Sequence, residues 1–164
     1  MPLKDSFIAE LRHESQNTRK MLGVVPEDKY GWKPHDKSMT MGRLASHIAD
    51  LPAWVNRFAD GSDFDFVTSP LPRLTYENKA QLLEVFDKTL QQALDALDKM
   101  TDEFLREKFV LKRGGHAIFD LPRSILVRNM VCSHIIHHRG QLSVYLRLLD
   151  VPVPGMYGPS ADGI

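Results

Sequence analysis

The sequence predicts an all-α fold: a four-helix bundle with irregular connections and a Pro/Gly-rich C-terminal tail. Two observations carry this. Four long stretches repeat apolar residues at the 3.6-residue helical period, and the segments between them are rich in Pro, Gly, Asp and Ser with little of the alternation that strands show. The first helix runs from Pro2 to Leu22, with Phe7, Ile8, Leu11, Thr18 and Leu22 on one face and Gly23 after the last of them. Val24 to Lys37 is a connection, in which Tyr30 and Trp32 sit among Pro26, Gly31 and Pro34 and cover one end of the bundle. Ser38 or Thr40 caps the second helix, carried by Met41, Leu44, Ile48, Leu51, Val55 and Phe58. Pro52 falls inside that run and removes a backbone donor, so a kink or a break is expected there.

Gly61 to Pro72 is a second connection. Thr75 is expected to cap the third helix, whose stripe of Leu82, Leu83, Phe86, Leu90, Ala93, Leu94, Leu97 and Met100 is broad enough for two neighbours. From Thr101 to Asp120, apolar residues flank an Arg113-Gly114-Gly115-His116 turn signal, and a short hairpin or an ordered loop both fit. Asp120 is expected to cap the fourth helix, with Pro122 in its first turn, and the pattern then runs to about Leu149. Three prolines and two glycines within residues 151–159 keep the tail from being helical.

A chain of 164 residues reads as one domain, 1–164, and can bury about two-thirds of the surface it exposes when unfolded. Its 21 basic and 21 acidic residues cancel, which argues against a dedicated nucleic-acid binder. The single cysteine, Cys132, suits a reducing compartment, the start Met1-Pro2-Leu3-Lys4-Asp5 lacks the apolar core expected of a signal peptide, and no apolar window is long enough for a membrane span. A cytoplasmic location follows as the expectation, with neither nucleic acid nor membrane as partner. The broad third-helix stripe leaves a homodimer open.

Seven histidines direct attention to chemistry. His134 and His138, four residues apart, lie about 40° from each other around a helix and one turn apart along it, so they can grip one ion together. His137 lies about 60° from His134 on the other side and could replace His138 in such a pair. The inward line of Val127, Val131, His134, His138, Leu142 and Tyr145 favours His138 and turns His137 to a flank. Imidazoles on an apolar face need partners, which a metal, water, backbone or each other can supply. His47, beside Leu44, Ile48 and Leu51, is the best third ligand, whereas His13, His35 and His116 read as solvated. Ile135 follows His134 where a zincin would carry Glu, which speaks against a metalloprotease.

Around this centre, Asp50 reads either as a residue orienting a ligand imidazole or as a solvated acid. Trp54 and Tyr145 read as core packing or as pocket walls, and Arg139 as a carboxylate binder or a surface ion pair. Gln141 flanks the site. Cys132, about 200° from His134 around the helix, should point away from the ion as a small buried side chain.

Three stretches resemble the DinB family of small helical metal-dependent proteins. They are Trp32-Lys33-Pro34 through the Ser38–Ala49 segment with its Leu44-Ala45-Ser46-His47, then His134-Ile135-Ile136-His137-His138-Arg139-Gly140-Gln141-Leu142, then Pro152-Val153-Pro154 through Tyr157-Gly158-Pro159-Ser160-Ala161-Asp162. The resemblance implies a four-helix bundle holding a divalent metal through three histidines, which match His47, His134 and His138. Some relatives are thiol S-transferases using bacillithiol, mycothiol or glutathione, and one branch is a mycothiol-dependent isomerase. Residues 61–123 match no signature. The expected cofactor is one divalent transition metal, with zinc or nickel ahead of iron, copper or manganese. The expected function is transfer of a small-molecule thiol to a small electrophilic substrate. Metal-assisted hydrolysis, or metal binding in a stress response without turnover, are the rival expectations.

Overall fold

The computed structural model describes residues 2–163. Helix α1 spans Leu3–Gly23, and its first free amide is satisfied from afar, Leu3 N donating to Asp102 Oδ1 at 2.8 Å. The connection after α1 caps the next helix with its own backbone: Met41 N and Gly42 N donate to the carbonyls of Trp32 (2.7 Å) and Tyr30 (2.9 Å). A Cβ at Gly42 would stand 3.0 Å from Tyr30 Cβ, so this close approach favours glycine. Thr40 completes the cap by accepting from Arg43 N. Helix α2 then runs Met41–Asp50, gives way to a 3₁₀ turn over Leu51–Ala53, and resumes as α3, Trp54–Ala59. The interruption falls at Pro52, where an amide donor is missing.

The chain next forms β1 (Asp63–Asp65), α4 (Lys79–Lys99), α5 (Asp102–Arg106), β2 (Lys108–Arg113) and β3 (His116–Pro122). It then continues as α6 (Arg123–Val127), a π turn (Arg128–Cys132) and α7 (Ser133–Leu148). Residues 151–163 form neither helix nor strand. Helices α1 and α2 each pack against both α4 and α7. No described helix is long and apolar enough to cross a membrane.

The fold is mostly helical rather than all-α, because a three-stranded sheet ordered β1-β2-β3 sits at one end. Of the two forms that fitted residues 101–120, the structure takes the hairpin. Phe109 and Leu111 point into the core from β2, and Gly114 and Gly115 turn the chain at φ values of +60° and +81°. Asp65 pins that turn, its carboxylate accepting from the amides of Gly114 and Gly115. β1 pairs with β2 in parallel inside what the composition marks as a connection.

Two helix starts differ from expectation. Asn78, not Thr75, caps α4 by accepting from Gln81 N at 2.9 Å, because Tyr76 is buried against α2 with its amide donating to Ser46 Oγ. Asp120 and Pro122 belong to β3, paired with Val110 and Lys108 across the hairpin, so helix begins at Arg123. Arg123 is itself buried. Its guanidinium donates to the carbonyls of Phe58 (2.8 Å) and Gly61 (2.7 Å) and lies 4.0 Å from the Phe104 ring centroid, joining α3, the hairpin and α6.

The interior has two adjoining apolar clusters, one around Phe58, Leu97 and Phe109, the other around Met41, Ile48, Phe86 and Leu142. His47 lies in sequence between Leu44 of one and Leu51 of the other, and His138 between Ile135 and Leu142. The histidines are thus placed where the two clusters meet.

Candidate metal centre

Helix α7 places His134 and His138 one turn apart, and their Nε2 atoms stand 2.8 Å from each other. From α2, His47 brings its ring to centroid distances of 5.1 Å and 4.7 Å from these two, nearly perpendicular to both. One ring nitrogen from each of the three lies within 4.8 Å of the others. Nitrogens bound at about 2.0–2.1 Å to one ion stand roughly 3.0–3.4 Å apart, so small rotamer adjustments bring the set onto a common centre. His137 is exposed and outside this group, as are His13, His35 and His116.

The donor chemistry fits a metal. Burial is the largest influence on all three rings and disfavours their charged forms; neighbouring rings of the group add to it for His47 and His138, His137 does so for His134, and His47 is lowered to about 3. All three are therefore neutral at pH 7, with lone pairs free for coordination. His138 Nδ1 donates to Gln141 Oε1 at 2.7 Å, which leaves the Nε2 lone pair facing the centre. His134 is held by a hydrogen bond to the backbone of Met130. Met130 belongs to the π turn immediately before α7, a local widening of the kind that accompanies functional sites.

Neighbouring residues divide between the expected readings. Asp50 does not touch a ligand imidazole. It accepts from the Tyr76 hydroxyl at 2.5 Å, and burial raises its carboxyl above the ordinary range. The orienting role that Asp50 could have filled falls to Gln141, legible only as the residue one turn beyond His138. Cys132 is buried, its thiol pushed up to about 12 chiefly by desolvation, so it supplies no thiolate. Tyr145 donates to the Met39 carbonyl and meets Trp32 edge-on, away from the histidines.

Arg139 is neither a surface residue nor a carboxylate binder at the site. It is buried in an ion pair with Glu14 at 2.6 Å and also donates to the Glu14 carbonyl, Thr18 Oγ1 and the Tyr157 hydroxyl. Tyr157 in turn donates to Glu14. Two of the recognisable sequence stretches, the one containing His138-Arg139 and the one containing Tyr157-Gly158, thus meet in one network, buried at Arg139 and Glu14 and exposed at Tyr157, that fixes α7 against α1 and the tail.

A cavity of about 620 Å³ opens beside the histidines, with His47 and His134 on its wall. Trp54 is buried against Phe58, Phe64 and Phe66 and also lines this cavity, so both readings of it hold. Arg43, Asp50 and Arg57 line it too. Arg43, His47, Asp50, Trp54 and Arg57 are spaced by four, three, four and three residues, a helical stripe of polar groups that sequence reading could have followed outward from His47.

Comparison with known proteins agrees with this architecture. The DinB family profile matches residues 1–163. The uncharacterized protein YrdA of Bacillus subtilis (strain 168) is 25% identical over 162 residues, covering 96% of this chain and 90% of its own. YjoA of the same organism is 26% identical over 132 residues, 79% of this chain and 80% of that protein. Among solved structures, a DinB-like protein of Bacillus cereus ATCC 10987 superposes with a TM-score of 0.69 at 24% identity, covering 93% of this chain and 97% of that one. Mycothiol-dependent maleylpyruvate isomerase superposes more distantly, with a TM-score of 0.53 at 12% identity over the whole of this chain and 65% of that protein. The profile match across the chain shows that it belongs to the DinB family.

Proposed function

We propose that this protein is a metal-dependent transferase that activates a low-molecular-weight thiol toward a small electrophile. The observation that supports it best is the convergence of three neutral imidazoles, His47, His134 and His138, two of which, His47 and His134, line a cavity large enough for a small molecule. Three protein nitrogens leave coordination positions open, the pattern of a reactive rather than a closed structural centre. A divalent transition ion in this set, zinc or nickel first among the choices, would supply the positive charge that turns a thiol into its thiolate at neutral pH.

The chain's own residues do the remaining work. Gln141 fixes the tautomer of His138, and the Met130 backbone holds His134. Trp54 and Leu51 shield one side of the cavity from water, and Asp50 with Tyr76 presents a hydrogen-bonded acid–phenol pair at its edge. Transfer requires the thiol proton to leave, a sulfur–carbon bond to form and the electrophile's leaving group to depart. Cys132 is too buried and too weakly acidic to act as the nucleophile, which points to an external thiol.

The same reading takes α1, α2–α3, α4 and α6–α7 as a four-helix bundle in one domain closed by the C-terminal tail. It places the protein in the cytoplasm, free of nucleic acid and membrane, with homodimer formation open to direct measurement. The function is tested by incubating zinc- or nickel-loaded protein with glutathione and monochlorobimane and following the fluorescent thioether. Turnover that requires both metal and thiol, and that His134→Ala abolishes, supports the proposal. Turnover without thiol would point to metal-assisted hydrolysis instead, and no turnover with a panel of thiols would leave a non-catalytic metal-binding protein.

A further inference from the structure

The chain carries no net charge, yet the cavity beside the histidines is strongly unbalanced. Arg43, Arg57, Arg73 and Arg113 line it, against the single carboxylate of Asp50, which is already engaged by Tyr76. Of the arginines elsewhere, all but the exposed Arg12 behave differently. Arg19, Arg106, Arg123, Arg128, Arg139 and Arg147 each pair with a carboxylate. Among the described residues, none of the four cavity arginines has a carboxylate within salt-bridge distance, and Asp50 attracts Arg43 and Arg57 only from farther away. Arg43 makes one long contact, 3.5 Å to the Leu74 carbonyl.

Arg57 is the clearest case. It is half-buried with its guanidinium 5.0 Å from the Trp54 ring centroid and 6.0 Å from that of Phe64, and among the described residues it has no hydrogen-bond acceptor. A desolvated guanidinium without an acceptor is costly, and like charges gathered around one cavity repel. An anion entering the cavity relieves both, through the charge-assisted and frequently bidentate bonds that guanidinium groups make to carboxylate and phosphate. The remaining wall is apolar, with Trp54, Phe66, Leu71 and Met130 available to a carbon skeleton.

We propose that this cavity binds a small organic anion bearing a carboxylate or phosphate group. Arg57 and Arg43 hold the charged head, the apolar wall holds the carbon body, and Arg73 and Arg113 draw the molecule in from the rim. The bound anion then lies beside His47 and His134. As the substrate class of the transferase this rests on the function proposed above, but the binding itself needs no metal.

The test is calorimetric titration of metal-stripped, dialysed protein at low ionic strength with phthalate, phenyl phosphate and the neutral phthalamide. Saturable binding of phthalate or phenyl phosphate, roughly tenfold or more tighter than phthalamide and weakening with added salt, is expected, and the stronger of the two identifies the head group. Arg57→Gln and, independently, Arg43→Gln should each weaken it roughly tenfold or more, while Arg12→Gln on the exposed face of α1 leaves it unchanged. Circular dichroism of each variant separates lost binding from lost folding, so either variant suffices if the other unfolds. Equal binding of phthalate and phthalamide, or no saturable anion binding, overturns the inference. Metal content measured on the same preparation keeps the two proposals apart: anion binding without metal binding supports this cavity and sinks the transferase, whereas metal binding without anion binding does the reverse.

Discussion

Replacing Arg139 with Met should destabilise the fold more than almost any other polar substitution. The guanidinium is 3% exposed and its partner carboxylate, Glu14, 9% exposed. Arg139→Met removes the 2.6 Å ion pair together with bonds to the Glu14 carbonyl, Thr18 and Tyr157, and strands a buried carboxylate whose remaining side-chain partner is the Tyr157 hydroxyl at 2.8 Å. Breaking a buried pair from one side costs about 3–5 kcal/mol. For a domain of this length each kcal/mol lowers Tm by about 2–4 °C, so a fall of about 6–20 °C is expected in thermal unfolding followed by circular dichroism. Removing the stranded charge as well, in Glu14→Leu/Arg139→Met, should recover a large part of that loss, since apolar replacement of a whole buried pair is often close to neutral. A single variant that loses less than about 1 kcal/mol, or a double variant as unstable as the sum of its parts, would refute the view that this network carries net structural weight.

Three further outcomes follow from the geometry. Gln141→Leu should leave the fold intact, because the residue is exposed, yet weaken metal binding about 10- to 100-fold in a competition titration by freeing the His138 tautomer. Metal-free protein should lose stability as pH falls below about 6.5: its three partly desolvated imidazoles stay neutral while those of the unfolded chain take up protons, so the loss continues toward the lowered values, about 3 for His47, and urea midpoints that rise on acidification would contradict this. Arg123→Met should cost about 2–4 kcal/mol in urea unfolding, since it leaves the Phe58 and Gly61 carbonyls without their donor, and a change under 0.5 kcal/mol would show those groups satisfied by water.

How much of this was legible beforehand depends on how local each cause is. His134 and His138 share one helix, so periodicity alone aligns them, and His47 is marked by the apolar stripe on either side of it. Pro52 announces the break between α2 and α3 because a missing amide needs no tertiary context. The sheet was harder. β1 is three residues, Asp63-Phe64-Asp65, with no alternation to read, and it exists because β2 offers it a parallel edge. Asp120 resembles a helix cap and serves instead as a strand residue salt-bridged to Lys108, a choice made across the hairpin. The burial of Arg123 and Arg139 was illegible for the same reason: their acceptors Phe58, Gly61 and Glu14 lie 62 to 125 positions away in sequence. The cavity arginines are intermediate, with Arg43 and Arg57 following the His47 stripe and Arg73 and Arg113 arriving from separate loops and strands.

The shared metal is tested most directly by elemental analysis of protein expressed and purified without added metal, beside the His134→Ala variant prepared in the same way. About one transition-metal ion per chain in the parent and almost none in a folded His134→Ala protein is the expected result. A parent protein without bound metal that also takes none up on titration, or a variant that retains the full complement, would contradict a three-histidine centre formed by His47, His134 and His138.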